Sequence, residues 1–216
     1  MKSKKNLASV ILKALICVSA VLGILLQCGV FSRTLNLSVL TYFTMMSNIG
    51  CAIYYGAAAI HQYRHGTTFL PSVKGALQMC ITVTGVVYHV MLSGRFEMQG
   101  TLALSNTLLH YVVPIAANLN WLIFDEKRCY TWKMAFAWTL APLAYAVFVA
   151  IAVALGATLG PYGQAYPYYF MDPAQVGGVG MLLLIDVIMG VCFLLMGLLI
   201  VAIDRWLGRK KVTTAT

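Results

Sequence analysis

The stretch 106–124, NTLLHYVVPIAANLNWLIF, is apolar enough to cross a bilayer as a helix, yet it contains both a histidine and a proline. A hydrocarbon core about 30 Å thick requires roughly 20 predominantly apolar residues in helical form. Several other stretches of the chain meet the same requirement. The predicted spans cover residues 7–30, 37–60, 74–93, 101–124, 134–155 and 178–203.

The composition is that of a membrane protein. The chain has 216 residues, of which 61% are hydrophobic and 10% are charged, and its mean hydropathy is +0.82. Soluble domains average about 25% charged residues. Because the connections between the predicted spans are short, neighbouring helices should run antiparallel, with no room for a soluble domain. We therefore predict an all-α, polytopic membrane protein in which residues 1–216 form a single bundle of six transmembrane helices.

The net charge of +9 is distributed unevenly along the chain. All lysines and arginines except Arg33 and Arg95 fall on the side of the predicted bundle that carries both termini. By the positive-inside rule both termini are cytoplasmic, and the loops 31–36, 94–100 and 156–177 face outward. The basic excess thus indicates topology and contact with anionic membrane lipids, and no nucleic-acid partner is expected.

The first span has to be distinguished from a signal peptide, because the chain begins MKSKKN before an apolar run. That run is longer than the apolar region of an ordinary signal sequence and lacks a clean cleavage site, which favours a retained helix. Lys13 lies inside this helix, and its ammonium group is expected to reach the inner interface.

Motifs for several standard chemistries are missing from the sequence. The six cysteines show no C-x-x-C spacing, so neither a disulfide framework nor a metal site is expected. The sequence has no G-x-S-x-G elbow, H-E-x-x-H zinc motif or Gly-rich phosphate loop. No cofactor is predicted.

Three histidine or acidic side chains lie within predicted spans: His89, His110 and Asp186. Such a group in lipid costs about 2.5 kcal/mol or more, so we expect all three to face the bundle interior. At ~1.5 Å per residue, His110 and Asp186 lie roughly 12 to 13 Å below the outer surface, and His89 lies about 6 Å below it. All three belong to the outer half of the predicted bundle.

The second span supplies hydroxyl groups at a similar depth. In the segment 40–48, LTYFTMMSN, Thr41, Thr44 and Asn48 have the spacing of one helical face. A hydroxyl, an imidazole and a carboxylate are the parts of a nucleophile, a base and an orienting group. Each residue also has a structural interpretation, because membrane threonines usually bond the preceding turn and a histidine can join helices.

The fourth span carries a polar stripe around its histidine. Asn106, His110 and Pro114 follow at intervals of four residues, and Asn118 lies roughly on the same side. Pro114 has no N–H group, so the carbonyl of His110 loses its helical hydrogen bond and a kink is expected. Both effects open space beside the histidine.

Three segments resemble a known family: LTYFTMMSN, LLHYVVP and YPYYFMDP. They are similar to six-helix bacterial membrane proteins related to the androgen-induced-gene family, over the second to sixth spans. The eukaryotic members are intramembrane threonine hydrolases of fatty acid esters of hydroxy fatty acids. The resemblance implies a multi-pass protein of the bacterial inner membrane that acts on a lipid ester.

The resemblance also implies roles for individual residues. Thr41 stands in the Leu-Thr-aromatic setting of the catalytic threonine, with Thr44 as the alternative nucleophile. His110 precedes Pro114 by four residues, as the family's catalytic histidine precedes its proline. Asp186 has no counterpart in the family and is assigned as an orienting acid from its depth alone. The residues expected to contact substrate are Asn48, His89, Asn106 and Tyr168, the last within the family-like segment 166–172.

Three functions are compatible with these patterns. The first is a lipid-ester hydrolase in which a threonine attacks the ester, His110 moves the proton, and Asn48 or Asn106 stabilises the oxyanion. The second is a small-solute or proton-coupled transporter with His89, His110 and Asp186 as a titrating relay. The third is a non-catalytic membrane scaffold, in which the polar residues only specify helix packing.

Overall fold

The structure, a computed structural model, describes residues 4–32, 35–95 and 97–213. Within these ranges it is helical and contains no β-strand. Lys2 and Arg33, which contribute to the predicted topology, lie outside the described residues. The long helices are α1 (Lys4–Gln27), α2 (Phe43–His65), α3 (Pro71–Leu92), α4 (Gly100–Phe124), α5 (Trp132–Ala154) and α6 (Val179–Thr213).

Five of these helices, all except α2, are long and apolar enough to cross a membrane. The predicted second span began at residue 37, whereas α2 begins at Phe43. The intervening Ser38–Thr41 forms a 3₁₀ turn, and Tyr42 has an extended backbone. The helix therefore omits the apolar residues before Phe43 and includes the polar segment 61–65 instead, which lowers its hydropathy. At the other end of the chain, α6 continues ten residues beyond the predicted end at residue 203.

Helix α3 occupies a central position in the bundle. It packs against α2, α4, α5 and α6, while α1 packs along α2 and α4, and α5 packs against α6. Two glycines of α3 permit close approach. A Cβ atom at Gly75 would overlap the ring of Trp138 in α5, and one at Gly85 would lie 3.0 Å from Pro114 Cβ in α4.

Both α3 and α4 contain a wide, π-helical turn. In α3 it is the last turn, Tyr88–Leu92, and in α4 it lies mid-helix, Leu108–Val112, and ends two residues before Pro114. The disturbance expected at Pro114 thus takes the form of a change in hydrogen-bond register. Such turns occur often at functional sites, because they re-aim side chains within a regular helix.

The side chain of Lys13 is buried inside the bundle, whereas the sequence predicted that its ammonium group would extend to the inner interface. Its side chain is only 1% exposed and donates to Ser9 Oγ (2.7 Å) and Gln62 Oε1 (2.6 Å). Asp125, at the end of α4, forms ion pairs with Lys13 and with the equally buried Lys74. Ion pairing and hydrogen bonding inside the bundle replace the hydration that the interface would have supplied. We call Lys13, Lys74 and Asp125 the lysine–aspartate cluster.

The long connection between α5 and α6 is folded against the bundle. It contains the 3₁₀ turns Pro161–Gly163 and Tyr169–Met171 and a helical turn, Pro173–Val176, capped by the carboxylate of Asp172. Phe170 and Met171 are buried against α5. This loop therefore forms one wall of the cavity described below.

Candidate functional site

The site centres on a contact between Thr44, in the first turn of α2, and His110, in the π-helical turn of α4. Thr44 Oγ1 lies 3.2 Å from His110 Nε2, and His110 Nδ1 lies 3.1 Å from the carbonyl oxygen of Asn106. A carbonyl oxygen only accepts, so Nδ1 carries the hydrogen of the neutral ring. Nε2 is then the acceptor for the Thr44 hydroxyl, which is how a base activates a threonine nucleophile.

Thr41 lies apart from this pair. It belongs to the 3₁₀ turn before α2, and its hydroxyl donates to the carbonyl of Ser38 at 2.7 Å. Thr41 and Thr44 were predicted to share one face of a continuous helix, but the extended Tyr42 interrupts that helix. The structure therefore brings the alternative threonine, Thr44, to His110.

Tyr88 holds the other side of the imidazole and was missed by the sequence analysis. Its ring stacks on His110 with the ring centroids 4.0 Å apart and the planes at 25°. Its hydroxyl accepts a hydrogen bond from Asn106 Nδ2 at 2.5 Å. The π-helical turns of α3 and α4 thus place both rings together, a pairing that no spacing within either span reveals.

Asn48 has a structural role beside the pair. Its Nδ2 donates to the carbonyl of Thr44 at 2.8 Å and to that of Leu109 at 3.3 Å. Both amide hydrogens are therefore used, and none remains for an oxyanion. The fully buried Asn48 instead joins α2 to α4 next to Thr44 and His110.

A second pair of hydroxyls lies one turn further along α2. Ser47 Oγ and Thr84 Oγ1 are 2.8 Å apart, and both side chains are buried. Thr84 of α3 lines the same cavity as Thr44. Ser47 was not among the residues predicted from sequence, although its hydroxyl, three residues after that of Thr44, was a visible signal.

A cavity of about 240 Å³ lies between α2, α3, α5, α6 and the long loop. Thr44 lies on one wall and Asp186 on another. Leu143 and Val147 of α5 line the cavity and are also 40% and 58% exposed, so the cavity reaches the outer surface of the bundle there. Its aromatic lining consists of Phe43, Tyr88, Tyr145, Tyr168, Phe170 and Phe193.

Tyr168 extends from the loop into this cavity, where it was expected to contact substrate. Its ring packs between those of Tyr42 and Tyr145, with centroid distances of 5.9 and 6.4 Å. Burial raises the pKa of the Tyr168 hydroxyl, although hydrogen bonding to the Thr44 side chain acts in the opposite direction. Tyr168 is therefore a neutral hydroxyl group beside Thr44.

His89 and Asp186 do not join His110. His89 is exposed, and its Nδ1 lies 3.2 Å from the hydroxyl of Tyr111. Asp186 lines the cavity, but within the described part of the chain no hydrogen bond or ion pair links it to His110. The predicted orienting role of Asp186 is filled here by the carbonyl of Asn106.

No protein family, no curated protein and no solved structure matches this chain. What the site does is therefore inferred from its own residues. The site consists of the Thr44 hydroxyl group, which is hydrogen-bonded to the His110 imidazole in a fixed tautomer, and of the apolar cavity that Thr44 lines.

Proposed function

We propose that this protein is an intramembrane hydrolase that cleaves lipid esters, with Thr44 as the nucleophile and His110 as the base. The observation that carries the proposal is the 3.2 Å contact between Thr44 Oγ1 and His110 Nε2, with Nδ1 occupied by a carbonyl. The resemblance to intramembrane threonine hydrolases supports the same residue types, with Thr44 in the place first assigned to Thr41.

The first half of the reaction forms an acyl-threonine. Thr44 Oγ1 attacks the ester carbonyl carbon, and its proton passes to His110 Nε2. The tetrahedral intermediate then collapses as the bond to the alcohol oxygen breaks. His110 returns the proton to the departing alkoxide, which leaves as a neutral alcohol. The carbonyl of Asn106 and the ring of Tyr88 hold the imidazole through both transfers.

The second half releases the acid. A water molecule gives a proton to His110 Nε2 as its oxygen attacks the acyl-threonine carbonyl. When the new intermediate collapses, the bond to Thr44 Oγ1 breaks, and that oxygen regains the proton. The net reaction consumes one ester and one water and yields one alcohol and one carboxylic acid.

Tyr168 is our candidate for the oxyanion donor. Its hydroxyl adjoins the Thr44 side chain, and a raised pKa keeps its proton in place. The amide hydrogens of Asn48, the donor considered from sequence, are already bonded to two carbonyls. A neutral donor fixed beside the nucleophile is well placed to stabilise negative charge on the attacked carbonyl oxygen.

The cavity favours an ester that resides in the bilayer. Its wall is mainly aromatic and aliphatic, and it reaches the bundle surface at Leu143 and Val147 of α5. An acyl chain in the leaflet could therefore enter from the side, while its ester group lies near Thr44. Pockets of this kind bind apolar ligands through contact area and orient them with a few polar groups.

The proposal includes a topology with six spans and two cytoplasmic termini in a bacterial inner membrane. The 23 residues of α2 would extend about 34 Å as a helix, enough to cross the hydrocarbon core. Several of its polar side chains are turned inward, since Ser47 and Asn48 are buried against α3 and α4. The distribution of lysine and arginine supports this orientation.

Covalent labelling tests the nucleophile. Purified protein in detergent is treated with a long-chain fluorophosphonate, and labelling is compared for the wild type, Thr44→Val and Thr41→Val. We expect Thr44→Val to abolish labelling, because valine keeps the shape but lacks the hydroxyl. Thr41→Val is the matched control and should label normally.

The same preparations are then given a fatty acid ester, and free acid is measured. The wild type and Thr41→Val should release acid at similar rates, and Thr44→Val should not. Undiminished labelling of Thr44→Val would refute Thr44 as the nucleophile. Labelling and hydrolysis that survive in both variants would refute the threonine mechanism.

A further inference from the structure

Asp186 is a half-buried carboxylate on the wall of a mainly apolar cavity. It lies on one face of α6 with Met189, Gly190 and Phe193, and all four residues line the cavity. In the part of the chain that the structure describes, no lysine, arginine or histidine nitrogen lies within ion-pair distance of it, and no hydrogen-bond donor contacts it. The mechanism above does not use Asp186.

A charged group in such a place requires compensation. Transfer of a carboxylate from water to an apolar environment is unfavourable unless it gains a counter-charge or hydrogen bonds. Arg95 does not supply the charge, because its guanidinium stacks on Tyr169 at 3.8 Å and its Nε donates to the carbonyl of Met91. The compensating group is therefore expected from the ligand.

The remainder of the cavity wall favours a cation over a neutral donor. Rings of Phe43, Tyr145 and Phe193 line the same space as Asp186. Aromatic faces attract ammonium groups, and the attraction is strongest where water is excluded. A carboxylate together with several aromatic rings is the chemistry that recognises a substituted or quaternary ammonium group.

We infer that the cavity binds an amphiphile with a cationic amine or quaternary ammonium group, held by Asp186 and the surrounding rings. This inference rests on the proposed function for the position of the ester, which would lie at Thr44, where α2 lines the same cavity. The substrate class is then an acyl ester in which an apolar chain and an ammonium group are joined through the scissile bond.

The test uses a pair of ligands that differ in charge alone. One is the decyl ether of choline, and the other is the neohexyl decyl ether, in which carbon replaces the ammonium nitrogen. Neither ether can be hydrolysed, so binding is measured independently of catalysis. Calorimetric titration of the full-length protein in dodecyl maltoside gives both affinities, and protein-free micelles provide the background.

We expect the wild type and Thr44→Val to bind the choline ether about tenfold more tightly than the neutral ether. Asp186→Asn should remove most of this preference without changing the affinity for the neutral ether, which also shows that the cavity is intact. Asp186→Glu should retain the preference. Equal affinities in the wild type, or a preference that persists in Asp186→Asn, would overturn the inference.

These outcomes are separable from those of the hydrolase experiment. If the protein prefers the choline ether but releases no acid from any ester, the ammonium site is supported and the proposed hydrolysis is refuted. If the protein hydrolyses esters through Thr44 but binds both ethers equally, the proposed hydrolysis is supported and the ammonium site is refuted.

Discussion

His110 holds its proton-accepting nitrogen toward Thr44 through contacts on three sides. The Asn106 carbonyl fixes the tautomer, Tyr88 stacks on the ring, and Thr44 lies at Nε2. If His110 only joined two helices, its hydrogen-bond partner would not have to line a cavity. The position of Thr44 at the cavity wall supports the chemical role that we propose for the pair.

Removal of the imidazole tests this assignment. We expect His110→Gln to lower kcat for ester hydrolysis by about 100-fold or more, since general-base catalysis contributes on that scale. The matched control is His89→Gln, because His89 is exposed and bonded to Tyr111 away from the cavity. Comparable losses in the two variants, measured as acid released per unit time, would contradict a specific role for His110.

The Tyr168 hydroxyl offers a second test. Tyr168→Phe keeps the ring that packs between Tyr42 and Tyr145 but removes the proposed oxyanion donor. We expect kcat to fall about 100-fold with little change in KM, because the lost bond forms in the transition state. Tyr166→Phe, in the same loop, is the control. A rise in KM with kcat unchanged would show that Tyr168 binds substrate without stabilising the oxyanion.

At the scale of elements, the approach of α3 to α4 sets the geometry of the site. The two helices meet at Gly85, where an added Cβ would lie 3.0 Å from Pro114 Cβ and 3.3 Å from the carbonyl oxygen of His110. Tyr88 follows Gly85 by three residues and stacks on His110. The small side chain at position 85 therefore allows the ring contact one turn away.

Enlarging this glycine should separate the helices. We expect Gly85→Val to destabilise the protein by about 1–3 kcal/mol through overpacking and to reduce hydrolysis as Tyr88 withdraws from His110. Gly180→Val in α6 is the control, because a Cβ there meets no atom within 4 Å. Thermal unfolding and acid release are both measured. Equal melting temperatures for the two variants would show that α3 can shift without cost.

The helices were largely predictable from sequence, whereas the start of α2 was not. An apolar run identifies a helix because the bilayer and the bundle interior both favour apolar residues. The same run cannot show that Ser38–Thr41 forms a separate turn, since that depends on local hydrogen bonds such as the one from Thr41 to Ser38. This difference decides which threonine meets His110.

The site was predictable in its residue types and not in its contacts. His110 and Thr44 were both candidates because polar groups in spans are costly. Tyr88 was not a candidate, because aromatic residues are common in spans. Its role arises from stacking on the His110 ring of another helix. Asp125 was missed for a different reason. It lies at a predicted span boundary, where a charge normally faces water, but here it is buried.

At the scale of the whole molecule, the lysine–aspartate cluster joins four helices. Lys13 comes from α1 and also bonds Gln62 of α2, Lys74 comes from α3, and Asp125 ends α4. Lys74 donates in addition to Asn120 Oδ1 at 2.8 Å. The cluster thus connects the helices that carry Thr44 and His110 at a point remote from the cavity.

The cluster has two lysines and one aspartate, so the variants should differ in severity. Asp125→Asn leaves two buried ammonium groups without a counter-charge, and we expect a loss of about 3 kcal/mol or more in unfolding free energy. Lys13→Met leaves one buried lysine paired with one buried aspartate. It should therefore cost less, although Ser9 and Gln62 lose their bonds to the ammonium group.

The measurement is the fraction of protein that remains monodisperse after heating in detergent, compared for the wild type, Asp125→Asn and Lys13→Met. The triple variant Lys13→Met, Lys74→Met, Asp125→Leu removes all three charges and should be more stable than Asp125→Asn, since no uncompensated charge remains. If Lys13→Met were the most damaging change, hydrogen bonding to Ser9 and Gln62 would outweigh charge balance. The role assigned to Asp125 in joining the helices would then pass to Lys13.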